Sequence, residues 1–274
     1  MFDSLFPHRV VSLQPSATVT INCLGLLDRL VACTRYCADV CPEVNDGHRI
    51  LVHDSWTAQS AQILAAHPDL VIASVPYQEK AVAEILRSGI SFLGLAPHTL
   101  ADIYGDVAKI AGVLGEPGRA ESVIHEMQQQ IAAVESKTRA VRRPLVFCEE
   151  WGRPIIHSQP WVAELVHAAG GEFLGQAGKQ TPAEDVGAAD PEVIVAAWCG
   201  AGDRVPLEKI IHQRGWSHTR AARDGRVYCL RDEWLNTPAP TLLHGLGALA
   251  HAIHPELFPS VPGIRRINLQ DSPS

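Results

Sequence analysis

The pattern of apolar and polar positions is most regular in the middle of the chain, where it predicts a long helix. Residues 121–139 contain no glycine or proline and are rich in Ala, Glu and Gln, which lose little rotamer freedom in a helix. Apolar residues recur there at spacings of four, four and three, at Val123, Met127, Ile131 and Val134. The sequence Gly-Glu-Pro-Gly at 115–118 interrupts the pattern. We therefore expect one helix over about 99–114 and a longer one that starts near Pro117, since proline suits the first helical turn.

Short apolar runs before and after this helix repeat in the same order. HRVVSL precedes the helix and RPLVFC follows it, while LVIAS and VIVAA each follow a proline-containing turn. Each half closes with one more run, SFLGL or RVYCL. Short apolar runs that alternate with helical segments are typical of parallel sheets. We predict an α/β fold of two lobes bridged by one long helix, with boundaries at 1–115, 116–142 and 143–274; chance similarity of short runs is the alternative.

Composition and charge narrow the class of protein. The 274 residues carry a formal net charge of −7, which leaves no basic footprint for nucleic acid. No run approaches the roughly 18 apolar residues of a membrane span, so we expect no membrane insertion. The opening MFDSLFPHRV lacks the basic, apolar and small-residue regions of an export signal. As written, the chain is expected to be cytoplasmic, and periplasmic if its true start lies upstream.

Aromatic residues follow the predicted strands in both halves. Ligands of open α/β sheets collect at the carboxyl ends of the strands, where such residues would lie. Large rings contribute more stability when buried, so rings at loop tips need another reason. The candidate site residues are Pro15, Tyr36, Trp56 and Tyr77 in the first half, and Trp151, Trp161, Asp232 and Trp234 in the second. We predict that they line a cleft between the lobes that holds a large, flat, partly apolar ligand; the alternative is that they pack their own loops.

Several blocks of the chain resemble a known family. RVVSLQPSATVTINCLGLLDRLVACTRYC is similar to the opening of the cobalamin- and iron-siderophore-type substrate-binding proteins of ABC importers. HPDLVIAS, RPLVFCEEW, QPWVAELVHAAGG, DPEVIVAAW and GRVYCL look like later landmarks of that family, in the right order, over about residues 9–257. The resemblance implies two Rossmann-like lobes bridged by a helix (the class III architecture), little hinge motion, and an ABC importer permease as partner.

The resemblance is strongest to the cobalamin-binding branch. It implies non-enzymatic binding of a corrinoid or another bulky metal chelate, with no cofactor. By motif position, Pro15, Tyr36 and Trp56 match ligand contacts of the first lobe. Trp151, Trp161 and the stretch 232–234 fall where contacts of the second lobe lie. The chain departs from the family at Thr241, where relatives often carry arginine.

Three cysteines support an alternative function. Cys33, Cys37 and Cys41 recur every fourth residue and, with His53, could serve a cytoplasmic metal-binding protein or an α/β enzyme. A tetrahedral site needs ligands that converge and a fourth donor. We expect Cys33 to close a strand and Cys37 to lie in the following loop, which would point their thiols apart. The sequence therefore predicts no metal at these cysteines.

Neighbouring carboxylates offer a second route to an enzyme. Glu149-Glu150 could act as an acid/base pair, although a solvated loop is the commoner meaning of such a pair, and the same holds for Asp232-Glu233. The chain has no GxGxxG after a strand, no P-loop and no GxSxG. These motifs therefore give no support to dinucleotide, nucleotide or hydrolase chemistry.

Overall fold

The computed structural model describes residues 5–54, 56–75 and 78–268. The chain divides into two compact units between Glu126 and Met127. Each unit is an α/β structure with its own sheet, as the repeated apolar runs predict.

Unit 1 contains a five-stranded sheet in which all neighbouring strands are parallel. Its strands are β1 (Val10–Ser12), β2 (Leu30–Thr34), β3 (Ile50–Val52), β4 (Leu70–Ser74) and β5 (Ser91–Leu95), and they lie in the order β3-β2-β1-β4-β5. Its helices are α1 (Pro15–Cys23), α2 (Arg35–Val40), α3 (Ser60–Ala65), α4 (Glu79–Arg87) and α5 (Leu100–Val113). One face of the sheet packs in a core that includes Val11, Val71, Ile63 and Ile85.

Helix α6 (Pro117–Thr138) passes through the boundary between the units. Its 22 residues span about 33 Å at 1.5 Å per residue. Met127 and Ile131 of the predicted stripe are buried. The start at Pro117 and the break after α5 confirm the helices predicted from the sequence.

Unit 2 contains a mixed sheet. Its strands are β6 (Leu145–Gly152), β7 (Ile155–His157), β8 (Glu172–Phe173), β9 (Val193–Ala196), β10 (Val227–Leu230) and β11 (Ile264–Arg266). The order is β11-β10-β9-β6-β7, with β8 also on β6; β7 and β11 are antiparallel to their neighbours and the other pairs are parallel. Its helices are α7 (Pro160–Ala168), α8 (Ala183–Ala189), α9 (Leu207–Gln213), α10 (Arg220–Arg223), α11 (Glu233–Asn236) and α12 (Leu242–Ile253).

Candidate functional site

The predicted residues of unit 1 follow neighbouring strands of its sheet. Pro15 opens α1 after β1, Tyr36 lies in the first turn of α2 after β2, and Trp56 follows β3. Because β1, β2 and β3 are adjacent and parallel, these residues share the carboxyl edge of the sheet. Tyr77, which follows β4, lies outside the described residues, so its part in the site stays a prediction.

Tyr36 and Trp56 form an exposed aromatic pair. Their ring centroids are 5.9 Å apart with the planes inclined at 36°. Tyr36 is 36 % exposed and Trp56 is 46 % exposed, which is high for rings of this size. The Arg35 guanidinium lies 5.1 Å from the centre of the Tyr36 ring. Two large rings therefore meet at this edge with their apolar surface still open to solvent.

Trp151 lies on a hairpin and not on the predicted loop. Strand β6 continues to Gly152 because β7 folds back on it, and Trp151 pairs with Ile156. Its indole N–H donates to the carbonyl of Arg153 at 2.9 Å, and the side chain is 44 % exposed. The pairing of β6 with β7 depends on tertiary contacts that no local pattern in the sequence specifies. Trp151 is thus presented by a rigid element.

Trp161 is nearly buried, unlike the loop-tip ring that the sequence predicts. Only 7 % of it is exposed, in the first turn of α7. Its indole N–H donates to the carbonyl of Leu235 in α11 at 2.8 Å, so its polar atom is already satisfied inside unit 2. Trp161 therefore fastens α7 to α11, and its contact with a ligand stays a prediction.

Asp232 and Trp234 lie at the start of α11. The Asp232 carboxylate accepts hydrogen bonds from the backbone N–H groups of Gly200 and Gly202, each at 2.8 Å. Both oxygens of the partly exposed Asp232 therefore tie the loop after β9 to the start of α11. Trp234 is half-buried, with its ring centroid 6.0 Å from that of His244.

A polar cluster at the same edge was not foreseen from the sequence. The Gln159 amide donates to the Glu150 carboxylate at 2.7 Å, and the Cys199 thiol lies 3.8 Å from the other oxygen of Glu150. The Asn236 amide is 3.3 Å from the Cys199 sulfur and 2.7 Å from the carbonyl of Ala197. Glu150 lies near the carboxyl end of β6, while Cys199 and Asn236 follow β9 and β10. These three strands are adjacent, and that shared position was the available signal.

Burial controls the protonation of this cluster. It raises the pKa of Glu150, opposed by the hydrogen bonds from Gln159 and Cys199. Desolvation of the thiol, with the negative charges of Glu150 and Asp232, raises the pKa of Cys199 to about 12, although part of the residue remains exposed. Cys199 is therefore a neutral thiol at pH 7.

Glu149 belongs to a buried ion pair. Its side chain is fully buried, and one oxygen lies 2.8 Å from a guanidinium nitrogen of Arg214. Arg214 also donates to the carbonyl of Gly152 at 2.8 Å, and its guanidinium carbon lies 4.8 Å from the centre of the Trp216 ring. Burial raises the pKa of Glu149, and the nearby Arg214 opposes that rise.

This burial corrects the interpretation of Glu149 and Glu150 as a solvated pair. Successive residues of a strand point to opposite faces of the sheet, so the two carboxylates occupy different surroundings. The buried Glu149 carboxylate pairs with Arg214 near the end of β6, whereas the Glu150 carboxylate is part of the polar cluster. They do not form an acid/base pair.

The three cysteines pack as core residues. Cys37 lies in α2 and not in a loop, because the Thr34 hydroxyl caps that helix by accepting from the Cys37 N–H at 3.2 Å. Cys33, Cys37 and Cys41 are all buried, and the Cys41 thiol lies 3.3 Å from the Glu43 carboxylate. Within residues 5–54, 56–75 and 78–268, no group of three His, Cys, Asp or Glu side chains is placed to hold a metal ion. The alternative that uses these cysteines with His53 is not favoured.

Comparisons with known proteins place this geometry among binding proteins. A family model described as "Periplasmic binding protein" matches residues 10–234. The substrate-binding lipoprotein YvrC of Bacillus subtilis, named as an uncharacterised ABC transporter protein, is 23 % identical over 92 % of this chain and 82 % of its own. The vitamin B12-binding protein of Vibrio parahaemolyticus is 24 % identical over 87 % of this chain and 86 % of its own.

Solved structures share the fold over nearly the whole chain. A periplasmic haem-binding protein from Pseudomonas aeruginosa superposes with a TM-score of 0.84 at 23 % identity, covering 96 % of this chain and 99 % of its own. The vitamin B12-binding protein BtuF of Vibrio cholerae gives a TM-score of 0.72 at 21 % identity, covering 90 % and 96 %. These matches confirm the predicted class III fold. The names of the relatives give no support to a cytoplasmic location, and no helix among the described residues is long and apolar enough to cross a membrane.

Proposed function

This chain belongs to the periplasmic binding protein family, and on that basis we propose that it binds a corrinoid or another bulky metal chelate without transforming it. In this proposal it delivers its ligand to the permease of an ABC importer and is located outside the cytoplasmic membrane. Support for the partner and the location comes from the relatives, which carry the names of transporter lipoproteins and periplasmic proteins.

The observation that carries the proposal is the exposed pair of Tyr36 and Trp56. The two rings, 5.9 Å apart and inclined at 36°, offer an apolar surface that adds burial energy only when a ligand covers it. A metal macrocycle has the matching shape, since it is broad, flat and largely apolar on its faces. Vitamin B12-binding and haem-binding proteins among the relatives support the same ligand class.

Each unit contributes contacts in this proposal. Unit 1 supplies Tyr36 and Trp56 from its sheet edge, with Pro15 beside them. Unit 2 supplies Trp151, which is 44 % exposed on the β6–β7 hairpin. Trp234 and the Asp232 loop border the same edge of the unit 2 sheet, while Trp161 and Tyr77 are further proposed contacts.

A retention experiment tests the proposal. Purified protein is incubated with cyanocobalamin or with haemin, desalted, and its absorbance spectrum recorded; one of the two chelates should be retained in a near 1:1 ratio. Quenching of tryptophan fluorescence then gives the dissociation constant. We expect Trp56→Ala to weaken binding at least about fivefold, because an aromatic contact contributes about 1 kcal/mol beyond its buried area.

The matched control is Leu86→Ala, which removes an exposed apolar side chain from α4 of the same unit. Its affinity should equal that of the wild type. Retention of neither chelate, or equal affinities for Trp56→Ala and the wild type, would contradict the proposal.

A further inference from the structure

Unit 2 contains a groove that the proposed function does not use. It lies between the β6–β7 hairpin and α9 and has a volume of about 770 Å³. Small-molecule sites commonly fall between about 300 and 1,000 Å³, so the groove is large enough for an organic ligand. Residues that matter for its chemistry are Arg153, Ile155, Trp198, Lys209, Ile210 and Gln213.

The charge of the groove is opposite to that of the chain. The protein has 30 acidic and 23 basic side chains, yet the described residues that line the groove include three cations and no carboxylate. Arg214 is neutralised by Glu149 behind it. In the described part of the chain, the side chains of Arg153 and Lys209 make no hydrogen bond or ion pair. Two free cations beside one cavity favour an anion.

The groove also has a fixed aromatic wall. Trp198 packs against the backbone of Gly152, so closely that a side chain at Gly152 would overlap its ring. The guanidinium carbon of Arg214, which pairs with Glu149, lies 5.7 Å from the centre of the Trp198 ring. Ile155 and Ile210 complete an apolar lining. A ring held in place by Gly152 and Arg214 loses little freedom when a ligand packs against it.

We propose that this groove binds an anionic group, carboxylate or phosphate, carried by a flat apolar molecule. Arg153 and Lys209 pair with the anion, and Trp198 with Ile155 and Ile210 contacts the apolar body. Guanidinium and ammonium groups both donate strong charge-assisted hydrogen bonds to such anions. The anion could be a free small molecule or an acidic side group of a larger chelate, and the chemistry of recognition is the same.

The first arm of the test uses a free small anion. Binding of 2-naphthoate and of the neutral 2-naphthamide is measured by calorimetry on the full chain at low and at physiological salt. Naphthoate should bind, more weakly as salt rises, and naphthamide should not. The double variant Arg153→Gln, Lys209→Gln should lose at least about tenfold in affinity, since each charged hydrogen bond contributes at least that much. Both side chains are exposed, so the variant should fold.

The matched control is Lys80→Gln, Arg87→Gln on α4 of unit 1, which makes the same change in net charge. It should bind naphthoate as the wild type does. The second arm compares protoporphyrin IX, which has two carboxylates, with its dimethyl ester. If the Arg153→Gln, Lys209→Gln variant loses affinity for naphthoate, the groove binds free anions. If it loses affinity for protoporphyrin IX alone, the groove binds the acidic groups of a larger ligand.

The proposal is overturned if the affinity for neither naphthoate nor protoporphyrin IX depends on Arg153 and Lys209. It is also overturned if the control variant loses as much affinity. Its failure differs from failure of the proposed function, which is judged by retention of cyanocobalamin or haemin and by Trp56→Ala in unit 1. Naphthoate binding in the first arm needs no chelate at all. The two results can therefore disagree in either direction.

Discussion

The ion pair of Glu149 and Arg214 allows the sharpest test of how unit 2 is held together. Substitution of Arg214 by methionine keeps an unbranched apolar stem and removes the charged guanidinium. Glu149 would then be a fully buried carboxylate without a counter-ion, because its side chain has no exposed surface. Loss of one partner of a buried pair costs about 3–5 kcal/mol. The hydrogen bond to Gly152 and the stacking on Trp216 are lost as well, so we expect about 4 kcal/mol.

That value is a large part of the stability of an ordinary domain, which is about 5–15 kcal/mol. Urea unfolding followed by tryptophan fluorescence and by circular dichroism measures it, as a lower midpoint with an unchanged slope. The matched control is Arg231→Met, also in unit 2. Arg231 pairs with Glu233 and lies 6.0 Å from the Trp234 ring centre, but it is half exposed. Exposed pairs contribute only about 0–1 kcal/mol, so this variant should be nearly neutral.

Two further arms identify the cause as an unpaired buried charge. Adding Glu149→Gln to Arg214→Met should recover much of the lost stability, because the uncompensated carboxylate is gone. Lower pH should do the same. The pKa of Glu149 is raised in the folded state, so this carboxyl takes up a proton at a higher pH in the folded protein than in the unfolded chain. The stability of the Arg214→Met variant should therefore increase as pH falls from 7 through the folded pKa towards the ordinary carboxyl pKa. A loss below about 1 kcal/mol, or one that does not change with pH, would refute this reasoning.

Three other predictions concern single side chains. Gly245→Ala should destabilise unit 2 by roughly 1–3 kcal/mol in thermal unfolding, because the added Cβ would overlap a backbone carbonyl oxygen of α11. Gly247 lies two residues further along α12 and has open space around it. Gly247→Ala should therefore stabilise unit 2 by about 0.5–1 kcal/mol. Thr99→Ala removes the capping box of α5 and should lower the stability of unit 1 by about 1 kcal/mol in urea, with rescue by Thr99→Ser. The hydrogen bond from Arg142 lowers the pKa of Glu192 to about 2. The contribution of this ion pair to the folding free energy is therefore present above the ordinary carboxyl pKa and lost as pH falls towards 2. Glu192→Gln should make acid unfolding over that range less steep; an unchanged acid profile would show that the pair contributes nothing.

Part of the site was predictable because it depends on strand order alone. Tyr36 and Trp56 each follow an apolar run that forms a strand, and parallel strands bring their carboxyl ends to one edge. Their meeting at 5.9 Å follows from the adjacency of β2 and β3. The polar cluster of Glu150 and Cys199 was missed, because neither residue belongs to a local motif and their contact joins positions 49 residues apart.

The elements that could be predicted from the amino-acid sequence are those whose signals are local. The start of α6 at Pro117, the strands β5, β9 and β10 and the break between α5 and α6 follow from nearby apolar periodicity, proline and glycine. The strand that β7 joins depends on contacts between distant parts of the chain. That pairing lengthened β6, placed Trp151 on a hairpin and turned Glu149 inward to Arg214. Hydrogen-bonded register and burial arise between residues far apart in the chain, so no local pattern of apolar and polar positions could specify them.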